Sequence, residues 1–454
     1  MPPPWPDEAR SGWQRLARAA GAALGDRRLR LGITGLSGAG KTVFTTSIIQ
    51  ALAHAAAHPA ALPLLAAPLA RVVIEDLPGL ERFPQARFVA GLTGAPPVWP
   101  EPTRAVTGLR LRLHPAAGWR GLALELVDYP GEWLLDQEML VLDYAAWSAA
   151  ALARLQGWGG AVAEAVGVYL GQALGASGDP AAAPALLGAY AALLRRLRAD
   201  GIPHLQPARL VVPEDPAAPD AALALAPAPL PGTLAGSALH AAMAQRHTAY
   251  GRAIVAPFVG AHLARLDRQV VLFDALGALG RGPTAFAAAR AALVAALGAF
   301  RYRRIPGLDR LRARIDRVLV LATKIDHVTT SQYLNVRHLV EGSFAGDDWA
   351  RAIAGDRLRF DVVAAIRATE DGWMRQGTAQ RAALRGRLKE GDGRAHLLVP
   401  GDVPPAPPAA ADWPEGGFVS LDFAPPDLAR HVTRPFPHVN LDKALDHLLG
   451  DRLR

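Results

Sequence analysis

The 454-residue sequence contains no cysteine. Disulfide frameworks, cysteine–zinc sites, iron–sulfur clusters and cysteine nucleophiles are therefore excluded. Lysine is almost absent as well: of 49 basic residues, only those at 41, 324, 389 and 443 are lysines. Charged residues make up 20% against 51% apolar, which excludes a mainly disordered chain and allows two to three domains. No stretch of about 18 uncharged apolar residues is present, since Glu164, Arg290 or prolines interrupt the best candidates. The start, Met1 to Arg10, is proline-rich with two acids, unlike a secretory signal. A cytoplasmic protein is expected, or one held peripherally at the inner membrane, with no transmembrane segment. The net charge of +8 comes from arginines that are scattered rather than clustered, so a solvated surface is expected and no nucleic-acid partner. The 13 histidines show no H-E-x-x-H or other ligand spacing, and no internal repeat is visible.

What is present is an alternation of short apolar strands and helical patterns. Strands are expected over 28–34, 109–113, 122–127, 270–273, 318–322 and 360–364, with helices over 7–23, beyond 42, and over 283–300. Residues 55–105 read as irregular and proline-rich, 401–417 as a linker, and 438–454 as a short helix. The alternation predicts an α/β three-layer sandwich with a mainly parallel sheet. The alanine- and leucine-rich block is too long for a crossover and predicts a large inserted α-helical domain. The expected division is an N-terminal helical extension over 1–27 and a first nucleotide-domain part over 28–132. The insertion over 133–265, a second part over 266–370 and a C-terminal extension over 371–454 follow.

The chemistry begins at Gly35-Leu36-Ser37-Gly38-Ala39-Gly40-Lys41-Thr42, a full match to G-x-x-x-x-G-K-[ST] between a strand and a helix. Its glycines let backbone N–H groups of Gly35, Ser37, Gly38, Ala39 and Gly40 turn toward phosphate oxygens, and the helix start at Val43 adds its positive end. Lys41 supplies a point charge to the terminal phosphates, and Thr42 a hydroxyl to Mg²⁺. Downstream, Asp128-Tyr129-Pro130-Gly131 ends a buried strand, where a carboxylate near Mg²⁺ is needed and the Gly131 N–H can meet a γ-phosphate. Thr103 is the expected switch threonine, a third oxygen for the metal, with Thr107 and Thr93 as competitors.

Thr323-Lys324-Ile325-Asp326 fits [NT]-K-x-D. Its carboxylate would accept hydrogen bonds from guanine N1–H and the 2-amino group, and would face a lone pair on adenine. Ala364, Ala365 and Ile366, after the last strand, are expected to offer backbone N–H groups to the base carbonyl. Glu132 stands where small GTPases often carry a water-orienting glutamine. A carboxylate there is repelled by a triphosphate unless protonated or paired.

Together, Thr34–Thr42, Val127–Trp133, Thr323–His327, Trp99–Arg104 and the ending Pro435–His438 with Leu449–Arg452 resemble the YcjX-like family of bacterial P-loop GTPases. The likeness runs from about 27 to 454 and departs at Ala365, where serine is expected. The resemblance implies a stress-associated protein with a Ras-like nucleotide domain, a helical insertion, GTP/GDP and Mg²⁺ as ligands, and an unidentified protein partner, a membrane protein among the kinds allowed. The expected activity is slow GTP hydrolysis, with Lys41, Thr103, Gly131 and Glu132 in catalytic roles. Two rivals remain open: a nucleotide-dependent scaffold with little hydrolysis, and an ATP-dependent P-loop enzyme.

Overall fold

The computed structural model describes residues 27–453, apart from 66–68, 117–120, 214–219, 299–314, 354, 356 and 416. The helix expected over 7–23 lies outside the described residues.

An eight-stranded sheet forms the centre. Its strands are β1 Arg27–Gly35, β2 Leu69–Glu75, β3 Glu81–Arg82, β4 Thr107–Pro115, β5 Leu122–Asp128, β6 Arg268–Phe273, β7 Arg317–Ala322 and β8 Leu358–Val362. They lie in the order β2-β4-β5-β1-β6-β7-β8, with β3 beside β4. The run β5-β1-β6-β7-β8 is parallel, while β2 and β4 pair antiparallel. This mainly parallel α/β arrangement is consistent with a Ras-like P-loop fold. The inner parallel strands β5, β1, β6 and β7 are mostly apolar and largely buried because helices cover both faces, whereas the edge strand β8 leaves Arg359 exposed.

On one face, Leu29, Leu31 and Ile33 of β1 pack on α1, Lys41–His54, and on the C-terminal helix Leu441–Leu453. The latter presents Leu441, Leu445, Leu448 and Leu449 at helical spacing. Arg268, 1% exposed, fastens it by a bidentate pair to Asp451, at 2.7 and 2.6 Å, and by a bond to the Leu448 carbonyl. On the other face, the helices Pro283–Gly298 and Tyr333–Phe344 pack on Val271, Phe273, Val318 and Val320.

Between β5 and β6 the chain runs through a 3₁₀ turn, Gly131–Leu140, and helices Tyr144–Gln156, Gly160–Gly175, Ala183–Ala199 and Ala238–Tyr250, the last continuing as wider helical turns to Leu263. Their apolar faces share one continuous core with the second face of the sheet, through Trp133, Phe258 and Leu266. Asp136 is buried in this contact, bonded by the Tyr250 hydroxyl at 2.6 Å and the Ala208 N–H at 2.8 Å. Burial lifts its carboxyl to about 6 against those bonds.

Two stretches differ from the sequence reading. Residues 55–105 are not simply irregular: they hold β2, β3 and a helix, Gln85–Thr93. β2 is an edge strand with only Leu69 fully buried, so it lacks the apolar signature of the central strands. The expected C-terminal extension contains a three-stranded antiparallel sheet, β9 Glu370–Gln376, β10 Ala379–Arg387 and β11 Ala395–Leu398. Its strands are rich in Arg, Glu and Gln, residue types that carry little strand signal. A two-residue Gly377–Thr378 loop joins β9 to β10, with Gly377 at φ 64°.

Candidate functional site

The parallel strands end in register, with Ile33 opposite Asp128 and Val270, Phe273 opposite Ala322, and Ala322 opposite Val362. The motifs that follow β1, β5, β7 and β8 therefore leave the sheet at one edge, the carboxyl edge where open α/β sheets bind ligands, and Thr103 precedes the antiparallel β4 at the same edge, where Thr107 stands opposite Asp128. A cavity of about 340 Å³ lies there. Ser37, Gly38, Gly40, Lys41, Thr42, Val43, Thr103, Glu132, Thr323, Lys324, Asp326, Ala364, Ala365 and Ile366 all line it. Gly35, Ala39, Asp128 and Gly131 lie outside its lining.

The loop after β1 folds as its glycines require. Gly38 and Gly40 sit at φ 77° and 83°, in the left-handed region, and Gly40 opens α1. Lys41 turns back over the loop and donates to the carbonyls of Gly35, at 2.8 Å, and Leu36, at 3.2 Å. Thr45 and Thr46 bond back to the carbonyls of Lys41 and Thr42, so this buried first turn keeps its polar groups satisfied.

Thr42, Thr103 and Asp128 converge. The Thr42 and Thr103 hydroxyls are 3.0 Å apart, and Thr103 donates to Asp128 Oδ2 at 2.7 Å. Neither competing threonine does this: Thr93 bonds its own helix at Val89, and Thr107 starts β4 opposite Asp128. Asp128 is 1% exposed, and its Oδ1 is buried with no hydrogen-bond partner. Burial pushes its carboxyl up to about 6, against the Thr103 bond and the Lys41 charge. An orphaned anionic oxygen beside two hydroxyls is a hard-oxygen donor set of the kind Mg²⁺ takes, so these three residues fit that ion.

Gly131 backs the loop. A Cβ built on it would stand 1.8 Å from the Gly35 carbonyl oxygen and 3.3 Å from Lys41 Nζ, so no other residue fits without moving the backbone. Glu132 is paired: Arg198, from the helix Ala183–Ala199, approaches its carboxylate at 3.4 Å and donates to the Val211 carbonyl at 2.8 Å. A second cavity, about 270 Å³, lies beyond that pair and is lined by Leu36 to Ala39, Glu132, Arg198, Arg281 and Lys324.

At the far end of the first cavity, Asp326 is 3% exposed and accepts from the Ala368 N–H at 2.6 Å, while the Thr369 hydroxyl donates to its carbonyl. Burial lifts its carboxyl above the ordinary range, against the nearby His327. Lys324 has a left-handed backbone, φ 58°, and bonds Asp274 at 2.8 Å. Burial would lower its ammonium, but Asp274 and, less strongly, Asp422 hold it above its ordinary value.

The sequence reading missed one wall. Trp99, His327, Lys389, Asp422 and Phe423 also line the cavity, the last three from the segment beyond β10. Leu388 and Phe423 form an isolated antiparallel bridge, and Phe423, 1% exposed, stands edge-on to the His327 ring at 5.0 Å. Trp99 Nε1 donates to the Phe423 carbonyl at 2.9 Å. One signal was available: in a chain with four lysines, three now line one cavity.

The chain matches the model of the YcjX-like family, DUF463, over residues 29–453. A protein named Ras-like GTPase YcjX in Escherichia coli (strain K12) is 36% identical, over 94% of this chain and 97% of its own length. One of the same name in Shewanella oneidensis is 34% identical, over 94% of this chain and 95% of its own length. With both kinds of match spanning nearly the whole chain, the protein belongs to the YcjX-like family. Among the described residues no helix is long and apolar enough to cross a membrane.

Proposed function

We propose that the protein binds guanine nucleotide with Mg²⁺ and slowly hydrolyses GTP to GDP and phosphate, as a stress-linked cytoplasmic switch. The observation that carries this reading is the pairing of two ends in one cavity: Lys41 with the Thr42–Thr103–Asp128 cluster at one, and buried Asp326 at the other. The relatives' name, Ras-like GTPase, points the same way.

In this reading the loop over 35–42 and the Lys41 ammonium hold the phosphates, exchanging the present carbonyl contacts of Lys41 for phosphate oxygens. Thr42, Thr103 and Asp128 hold Mg²⁺, which supplies charge neutralisation at the phosphates. Gly131 brings its N–H to the γ-phosphate. Asp326 accepts from guanine, with the backbone of Ala364, Ala365 and Ile366 beside the base carbonyl. Glu132 faces the attacking water, but its carboxylate is engaged by the Arg198 guanidinium. Turnover below about 1 s⁻¹ without a partner is expected, near the range of unassisted switches. Residues 133–265 are then an inserted helical domain that reports on Glu132 through Arg198, and 371–454 an extension closing the cavity. The partner is an unidentified protein.

The Glu132–Arg198 pair also favours a second reading, in which the protein is a nucleotide-dependent scaffold that hydrolyses little. Single-turnover GTP hydrolysis separates the two. The base assignment is tested by calorimetric titration of nucleotide-free protein, in Mg²⁺, with GDP, a non-hydrolysable GTP analogue and the matching ATP analogue. Guanine binding without adenine binding is expected, and Asp326→Asn removes that preference. Equal binding of both bases in the unaltered protein would return Thr323–Asp326 to the status of a turn and favour an ATP-dependent enzyme.

A further inference from the structure

The wall contributed by the segment beyond β10 has no counterpart among the motifs above, and its geometry is specific. Asp422 is fixed by backbone pairing on both sides: Lys389 N–H donates to its carbonyl at 2.9 Å, and Ala424 N–H to the Arg387 carbonyl at 2.8 Å. Phe423 wedges the strand in place, its ring so close to Gly386 that a Cβ there would stand 2.7 Å from it. The Asp422 carboxylate, about half exposed, lines the cavity with Lys389, whose ammonium lies 3.4 Å away. It is also near enough to Lys324 to act on that ammonium's charge. An exposed pair at this distance adds almost nothing to stability. Its backbone, by contrast, is held as firmly as a binding residue requires.

The position along the cavity decides what Asp422 would meet. Lys41 and the Thr42–Thr103–Asp128 cluster mark the phosphate end, and Asp326 the base end. Asp422 lines the cavity near Lys324, the neighbour of the base end, and the adjacent Phe423 accepts from Trp99, which leads to Pro100 and Thr103. A nucleotide laid between the two ends puts its sugar in this stretch. Ribose hydroxyls are hydrogen-bond donors, and an ionised carboxylate accepts them more strongly than a neutral group would. Resting on the guanine-nucleotide reading, we infer that Asp422, positioned by Lys389 and Phe423, reads the ribose hydroxyls and makes the site selective for ribonucleotides over deoxynucleotides.

The test is calorimetric titration of the full chain with GDP, 2′-deoxy-GDP and 2′,3′-dideoxy-GDP, for the unaltered protein, Asp422→Ala and Asp422→Asn. The unaltered protein should bind dideoxy-GDP about tenfold more weakly than GDP, the factor for losing a hydrogen bond to a charged group. Asp422→Ala should bind GDP and dideoxy-GDP alike, both at the unaltered protein's dideoxy affinity. Asp422→Asn keeps the shape if the alanine variant folds poorly, and should lose most of the preference. Lys389→Ala should retain part of it. Equal affinity for all three nucleotides in the unaltered protein overturns the inference, as does full preference in both Asp422 variants. With GDP binding intact, those results leave the guanine reading standing. No guanine binding at all overturns both.

Discussion

Asp128→Asn should stabilise the nucleotide-free protein while destroying its metal site. The carboxyl is buried, its Oδ1 has no partner, and burial raises it from an ordinary value of 3.8 to about 6. The unfolded chain releases this proton near pH 4, and the folded chain only near pH 6. Between those values the folded state binds more protons, so its stability falls as pH rises through the window. At pH 7.5 the accumulated cost is ~3 kcal/mol, and at pH 5 about half of that. Asparagine has the same shape, keeps an oxygen for the Thr103 hydroxyl and never ionises. Urea unfolding without nucleotide and in EDTA, followed by tryptophan fluorescence, should show the variant more stable by up to ~3 kcal/mol at pH 7.5. The gain should halve at pH 5. Mg²⁺-dependent tightening of GTP binding should disappear in the same variant. No gain at pH 7.5, or an equal gain at both pH values, would refute the claim that an ionised Asp128 with its Oδ1 unpartnered strains this site. The gain-with-loss pattern is what a site selected for binding rather than stability should show.

Further outcomes follow from single contacts. In the unaltered protein, the benefit of Mg²⁺ to GTP affinity should weaken below pH 6, as protons compete for Asp128; a flat profile from pH 5 to 8 would contradict this. Gly131→Ala drives a Cβ into the Gly35 carbonyl and should cut GTP turnover about a hundredfold, measured by phosphate release. Arg198→Ala leaves Glu132 unpaired and should lower GTP affinity relative to GDP by about tenfold, with recovery on adding Glu132→Gln. An unchanged ratio would place Glu132 away from the γ-phosphate. Arg268→Met removes the clamp on the C-terminal helix and should cost about 2 kcal/mol in thermal or urea unfolding.

What the sequence determined was whatever depends on short range. The glycines at 38 and 40 are needed by a turn with positive φ, and Lys41 and Thr42 follow within the same turn. The parallel strands were legible because burial makes them mostly apolar, as in Val318–Ala322 and, Glu125 apart, Leu122–Val127. Their common direction then brings the motifs at their ends to one edge, which is why spacing along the chain could foretell which residues meet. The edge strand β2 and the sheet β9–β11 were not legible: with one or no fully buried face they carry arginine and glutamate where a central strand carries valine. Only the tertiary structure could bring Arg198 to Glu132, or Lys389, Asp422 and Phe423 to the cavity that begins at Ser37. These contacts span tens to hundreds of residues and rest on how separate surfaces pack, and no local pattern encodes that distance.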